Sequence, residues 1–412
     1  MNKINKDWKE VKLGDIVDIT MGQSPKSEFY NKRNEGMPFL QGSATFGFMH
    51  PYFETYSSDI KKIAVNGSVL MSVRAPVGDL NIANADVCIG RGLCSINGKS
   101  NIINRYIFYL LSYYKPKLLN MQKGTTFGAI TKDDILNFKV LIAEDIEEQK
   151  RIASALSKID AYLENTIKLI EEKERFKRGI AKKLLTWKEG ENIPEARFKG
   201  FEDEWKEYNL SKIGVSYNGL RNKKANSFVE NCNAKYITYK SVYDKNKIDI
   251  NRLGNVFIGK NENQNLVKYG DVFFTISSET PDEVAISSVL LDEVENTYLN
   301  SFCFGFRFDF NILLPEFARY YFRSDYIRKS TYRLAQGITR YNISKKKILD
   351  IIIYLPSLEE QEKIGGYLSL LDKEIDNLKK QKELIKEMKK GAMQKLLSGE
   401  VRLSKNAFNE NI

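Results

Sequence analysis

"DIEEQKRIASALSKID" (Asp145–Asp160) and "SLEEQEKIGGYLSLLD" (Ser357–Asp372) are two versions of one phrase in a single chain of 412 residues. Sliding the sequence on itself by 212 positions aligns Glu147-Glu148-Gln149 with Glu359-Glu360-Gln361. The match runs without a gap through Ile152/Ile364, Leu156/Leu368, Asp160/Asp372, Asn165/Asn377, Lys177/Lys389 and Gly179/Gly391 to Lys183-Leu184-Leu185/Lys395-Leu396-Leu397. Ile152, Leu156, Ile159, Leu163, Thr166 and Ile170 step by alternating four and three residues, and so do Ile364, Leu368, Leu371, Ile375 and Leu378. That spacing is the seam of a coiled coil. Further on the seam turns mixed, with Ile170 matched by Lys382 and Ile385 by Lys173. The two helices are therefore expected to pair with each other rather than each with a twin. At 1.5 Å per residue each spans roughly 55–60 Å, the dimension of a spacer.

Outside these helices the copies diverge. "WKEVKL" at Trp8 is echoed by "WKEYNL" at Trp205, Cys94 in "RGLCSIN" stands opposite Cys303 in "NSFCFGF", and "GTTFGAITKDDILNF" resembles "QGITRYNISKKKILD". "GSVLMSVRAP" and "GDVFFTISS" read as strands behind a Gly turn, whereas "NRYIFYLLSYYKPKL" and "PEFARYYFRSDYIRKS" read as helices. The expected fold is α+β: two tandem α+β domains separated by two long helices in an antiparallel coiled coil, with pseudo-twofold repetition. The boundaries fall at 1–145 and 205–357 for the domains, 146–187 and 358–400 for the helical regions, 188–204 for a Gly/Pro/charge-rich linker and 401–412 for a flexible tail.

Composition narrows the function. A chain this long exceeds one ordinary core, and a net charge of +11 favours an anionic partner, of which nucleic acid is the commonest. No apolar run approaches the roughly 20 residues of a spanning helix, and "MNKINKDWKE" lacks a secretory hydrophobic stretch, so a cytoplasmic protein is expected. The four cysteines have no CxxC spacing, and His50 is the single histidine, which leaves no metal site to expect. "INGKS" fails as a phosphate loop because Leu93 stands where the first glycine is required. After Pro281-Asp282 no Glu-x-Lys follows, and no Gly-rich methyl-donor loop or Asn-Pro-Pro-aromatic stretch occurs. The expectation is a non-catalytic chain.

"RAPVG" (Arg74–Gly78), "GTTFGAIT" (Gly124–Thr131), "EEQKRI", "LPSLEEQEKI" and the linker phrase "IPEARFKGFEDEW" together resemble the specificity subunits of type I restriction-modification enzymes. The resemblance covers almost the whole chain, in the family order of domain, helix, domain, helix. It implies a subunit that reads a bipartite, asymmetric site on double-stranded DNA, one half per domain. It also implies that the helices set the unread gap and dock two methyltransferase (modification) subunits. S-adenosylmethionine would then sit on the modification subunits, ATP and Mg²⁺ on the restriction subunits, and no cofactor on this chain. Half-sites about one helical turn apart, roughly 34 Å, suit a stiff helix pair. Two features depart from the family pattern: "LIAEDIEEQ" enters the first helix without proline, and "SSETPDE" replaces "RAPVG" in the second copy. The rival readings are a stand-alone DNA-binding scaffold or regulator and an enzyme with an unrecognised site.

Base and phosphate contacts call for Arg, Lys, Asn, Gln, Ser or Thr on loops that reach a groove. Arg91 between two glycines and Arg74 before Ala-Pro fit that need, as does the polar turn of Lys123, Thr125 and Thr126. In the second copy Gln336, Thr339, Arg340 and Tyr341 hold the equivalent place, and Arg221, Lys223 and Lys224 form a basic run. For each, a solvated surface is the competing expectation. Gly179, Lys183 and Leu184, with Gly391, Lys395 and Leu396, are the candidate docking points for partner subunits.

Overall fold

The computed structural model describes residues 8–120, 128–186, 193–230, 232–338 and 340–403. In each half one strand is buried on both faces, so its sequence shows a continuous apolar run in place of the alternation of a half-exposed strand. Val69–Ser72 sends Val69 and Met71 into one core and Leu70 into another. Val272–Thr275 does the same, with Val272 and Phe274 on one side and Phe273 on the other.

Around these strands the chain builds one antiparallel four-stranded sheet twice. The first has the order Val17–Met21, Leu93–Gly98, Val69–Ser72, Leu80–Ile82, and the second Gly214–Asn218, Cys303–Phe308, Val272–Thr275, Ser287–Val289. Beside each runs a second sheet, five-stranded in the first unit and three-stranded in the second, with one parallel pairing, Met37–Leu40 with Val87–Ile89 and Ala234–Ile237 with Thr297–Leu299. Cys94 and Cys303 are buried on equivalent strands, and burial raises both thiols, that of Cys94 to about 12. Asn104–Leu119 is a helix as expected. Its counterpart is two helices, Pro315–Tyr321 and Asp325–Tyr332, because Ser324 stops the first and its hydroxyl caps the second.

The long helices are Ile146–Leu185 and Leu358–Leu397. Asp145 caps the first through Glu147 N, and Ser357 caps the second through Glu360 N. By compactness the chain forms two units, residues 1–168 with 379–412, and residues 169–378. In the first unit the opening turns of one long helix meet the closing turns of the other, Asp160 pairing with Lys389 and Tyr162 with Gln381. In the second, Lys173 pairs with Glu374 and Lys177 with Asp372. Partner numbers fall as helix numbers rise, so the pairing is antiparallel. The seam is apolar: Ile152, Leu156, Leu163, Ile170, Ile364, Leu368, Leu371 and Ile375 are all buried.

The repeated Glu-Glu-Gln has a structural cause. Gln149 accepts from Ile103 N and donates to Ala143 O, tying the long helix to the residue before the Asn104 helix. Gln361 repeats this with Leu314 N and with Ile312 O and Pro356 O. The buried Glu148 takes a bidentate ion pair from Arg402, and the buried Glu360 takes one from Arg197. Arg402 lies in the stretch expected to be a flexible tail. Its guanidinium is instead docked, because a buried carboxylate requires a counter-charge.

Candidate nucleic-acid interface

Where the central strand of each unit ends, three backbone segments converge. In the first unit Val73 N donates to Gly92 O while Ile130 N donates to Val73 O, and Arg74 bridges Ala129. In the second, Ile276 N donates to Phe302 O, Ile343 N donates to Ile276 O, and Ser277–Ser278 pairs with Tyr341–Asn342. Val73 thus corresponds to Ile276, Gly92 to Phe302 and Ile130 to Ile343.

Two expected residues of the first unit meet at this junction. Arg74 and Arg91 are both exposed, on loops whose backbones touch. Gln41 explains the glycines around Arg91: a Cβ at Gly92 would lie 2.5 Å from its carbonyl, and one at Gly90 2.6 Å from its side-chain oxygen. Ser24 joins the same rim, accepting from Arg91 N and donating to Gln41. The Arg74 loop rests on Ser72, whose hydroxyl donates to Pro76 O and accepts from Asp79 N. Lys123, Thr125 and Thr126 precede the converging segment at Ala129 and lie outside the described residues.

The second unit places different side chains on the same scaffold. Gln336 and Asn342 exchange backbone hydrogen bonds, closing a loop with Gly337 at φ +138°, Ile338 at the tip and Arg340 exposed; Thr339 lies outside the described residues. Tyr341 is half-buried against the core. Arg221 follows Gly219 and Leu220, which bond to Cys303 O and Leu299 O as Gly22 and Gln23 bond to Leu93 O and Ile89 O. It therefore stands where Ser24 stands in the first unit. Lys224 is exposed, but Lys223 is not available to phosphate: its ammonium pairs with Glu262 and donates to Phe257 O, with the side chain 5% exposed.

Sequence reasoning missed a cavity of about 280 Å³ beside Arg340, walled by Tyr239, Tyr243, Glu279, Glu283 and Phe302. Its only visible trace was the departure "SSETPDE". Tyr239 and Tyr243 lie nearly parallel, 14° apart, with hydroxyls donating to Ser277 O and to Glu283. The bonds from Tyr243 and Ser278 hold the Glu283 carboxyl below its ordinary pKa, and the bond to Glu283 pushes Tyr243 up to about 12. Behind the wall Arg323 donates to Val242 O, Tyr243 O and Lys245 O, closing the end of the Tyr239–Asp244 helix.

The docking candidates divide. A Cβ at Gly179 or Gly391 would touch nothing, and Lys183 and Lys395 are exposed. Leu184 and Leu396 are buried in the cores of their own units, so they are removed from the docking surface. His50 bonds to Ile82 O, and among the described residues no group of three His, Cys, Asp or Glu could hold a metal ion.

A family model described as the type I restriction modification DNA specificity domain matches residues 5–172 and again 202–387. The putative type I restriction enzyme MjaX specificity subunit of Methanocaldococcus jannaschii is 44% identical over 191 residues, 46% of this chain, which spans 45% of that relative. The MjaVIII specificity subunit of the same organism is 26% identical over 98% of this chain and 96% of its own length. The crystal structure of a type I restriction-modification S subunit from M. genitalium shares the fold, with a TM-score of 0.61, 18% identity and coverage of 96% of this chain and 97% of that one.

Proposed function

Since the chain belongs to the type I restriction-modification DNA specificity family, we propose that each unit reads one half of a bipartite, asymmetric DNA site. The supporting observation is the junction built twice with unlike rims. Ser24, Arg74 and Arg91 surround the first, while Arg221, Ser277, Phe302 and Arg340 surround the second. One scaffold fixes how a loop meets the groove, and different side chains on it favour different bases. The α+β regions, 1–145 and 205–357, are the recognition domains, and the long helices are the spacer. Each helix belongs at its start to one unit and at its end to the other, as a spacer requires.

The chain is the recognition subunit and not the enzyme of its system. Its partners are DNA and restriction-modification subunits, and we assign it two methyltransferase subunits that dock along the repeated helices near Gly179, Lys183, Gly391 and Lys395. In this reading S-adenosylmethionine belongs to those subunits, ATP and Mg²⁺ to the restriction subunits, and the assembly works in the cytoplasm; no helix among the described residues is long and apolar enough to cross a membrane. Methylation-sensitive sequencing of a host expressing the complex is the test. The expected result is a split, asymmetric methylated motif that disappears when this chain is deleted. A continuous or palindromic motif, or methylation that survives the deletion, excludes the proposal.

A further inference from the structure

In a chain of net charge +11, the second unit places two carboxylates, Glu279 and Glu283, beside Arg340 at its recognition rim. Near a phosphate backbone a carboxylate is repelled, so its use must lie with a hydrogen-bond donor. In the major groove cytosine N4 and adenine N6 are such donors, while guanine and thymine offer acceptors that a carboxylate rejects.

We propose that this cavity receives the edge of a DNA base bearing an exocyclic amine, cytosine or adenine, with Glu279 and Glu283 as acceptors; the proposal rests on the reading of this unit as a DNA-recognition half. Glu283 is already oriented by Tyr243 and by Ser278 Oγ at 2.9 Å, on different carboxylate oxygens, and by the Thr280 hydroxyl, which together leave about one of its four lone pairs for an incoming amine. Those bonds keep it ionised, hence purely an acceptor. The walls are fixed: both tyrosine hydroxyls are committed, and Arg323 holds the helix that carries them. At about 280 Å³ the space falls just below the ~300–1,000 Å³ of small-molecule pockets. Arg74 stands in the first unit where Ser277 lines this cavity, so the discrimination belongs to one half-site.

The test is selection from a random duplex library by the full chain bound to its modification subunits, with wild type compared to Glu279→Gln and Glu283→Gln. An amide both donates and accepts, so it admits guanine or thymine. The expected result is a cytosine or adenine preference at one position of one half-site that falls about tenfold or more in the variants, with the other half-site unchanged. Glu283 also holds Tyr243, whereas Glu279 is exposed, so Glu279→Gln decides alone if the other variant fails to fold. An unchanged preference, or equal weakening on every sequence, overturns the assignment while leaving the split motif in place. Absence of a split motif in wild type instead overturns the reading of the unit itself.

Discussion

Glu360 and Glu148 occupy matching positions, yet their guanidinium partners come from dissimilar surroundings. The Arg197 side chain is 11% exposed and that of Arg402 39%, and Glu148 has a further donor in the Trp8 indole. Arg197→Ala leaves a buried carboxylate without its counter-charge and should cost about 3–5 kcal/mol. Arg402→Ala should cost less, since the Trp8 indole still donates to Glu148; urea denaturation of the two variants compares them. The sequence marked the Glu-Glu-Gln repeat but could not show that its second Glu is an anchor, because both arginines lie outside the aligned stretch. Arg340→Ala should lower affinity by about 1–3 kcal/mol on duplexes that keep the second unit's preferred base and leave that position relaxed. Competition binding against single-base variants reads this, and equal loss on all duplexes marks a phosphate contact instead. That Arg74, Arg91 and Arg340 lie exposed on loops was legible because glycine or proline stands within three residues of each. Lys223 was not, since its partner Glu262 lies on a separate loop.

The existence and starts of the long helices were readable, though the second ends at Leu397 and not at 400, because a seam at three- and four-residue steps is a local pattern. Burial of Ile152, Leu156, Ile364 and Leu368 agrees with it. The break at Ser324 was not readable, because the apolar spacing of Pro315–Ser330 continues across it and only a hydroxyl turned to Ile327 N marks the stop. Where each long helix begins, a glutamine replaces a backbone partner for the neighbouring helix. Gln361→Ala should strip Leu314 N and leave the half-buried carbonyl of Ile312 and the buried one of Pro356 short of a donor, costing about 1–3 kcal/mol. Thermal unfolding measures it. Gln361→Glu retains the acceptor for Leu314 N but loses the donor, so it should not restore stability in full.

At the scale of the molecule, sequence periodicity treats each helix as a region of its own, whereas the compact units divide both of them. The contacts that bind helix to unit, such as Asp160 with Lys389 and Lys177 with Asp372, join residues far apart in the chain. No local pattern can mark such a division. The charge of +11 predicts DNA binding that weakens steeply with salt. If Arg91 holds a phosphate, Arg91→Ala should reduce the slope of log affinity against log salt by about 0.9, read by titrating the full complex at several ionic strengths. The docked Arg402 carries a different kind of consequence, for genetics. A nonsense mutation just past codon 400 would spare both rods and every strand on paper, yet it would strip Glu148 of its cation, so truncation alleles there should behave as temperature-sensitive rather than silent.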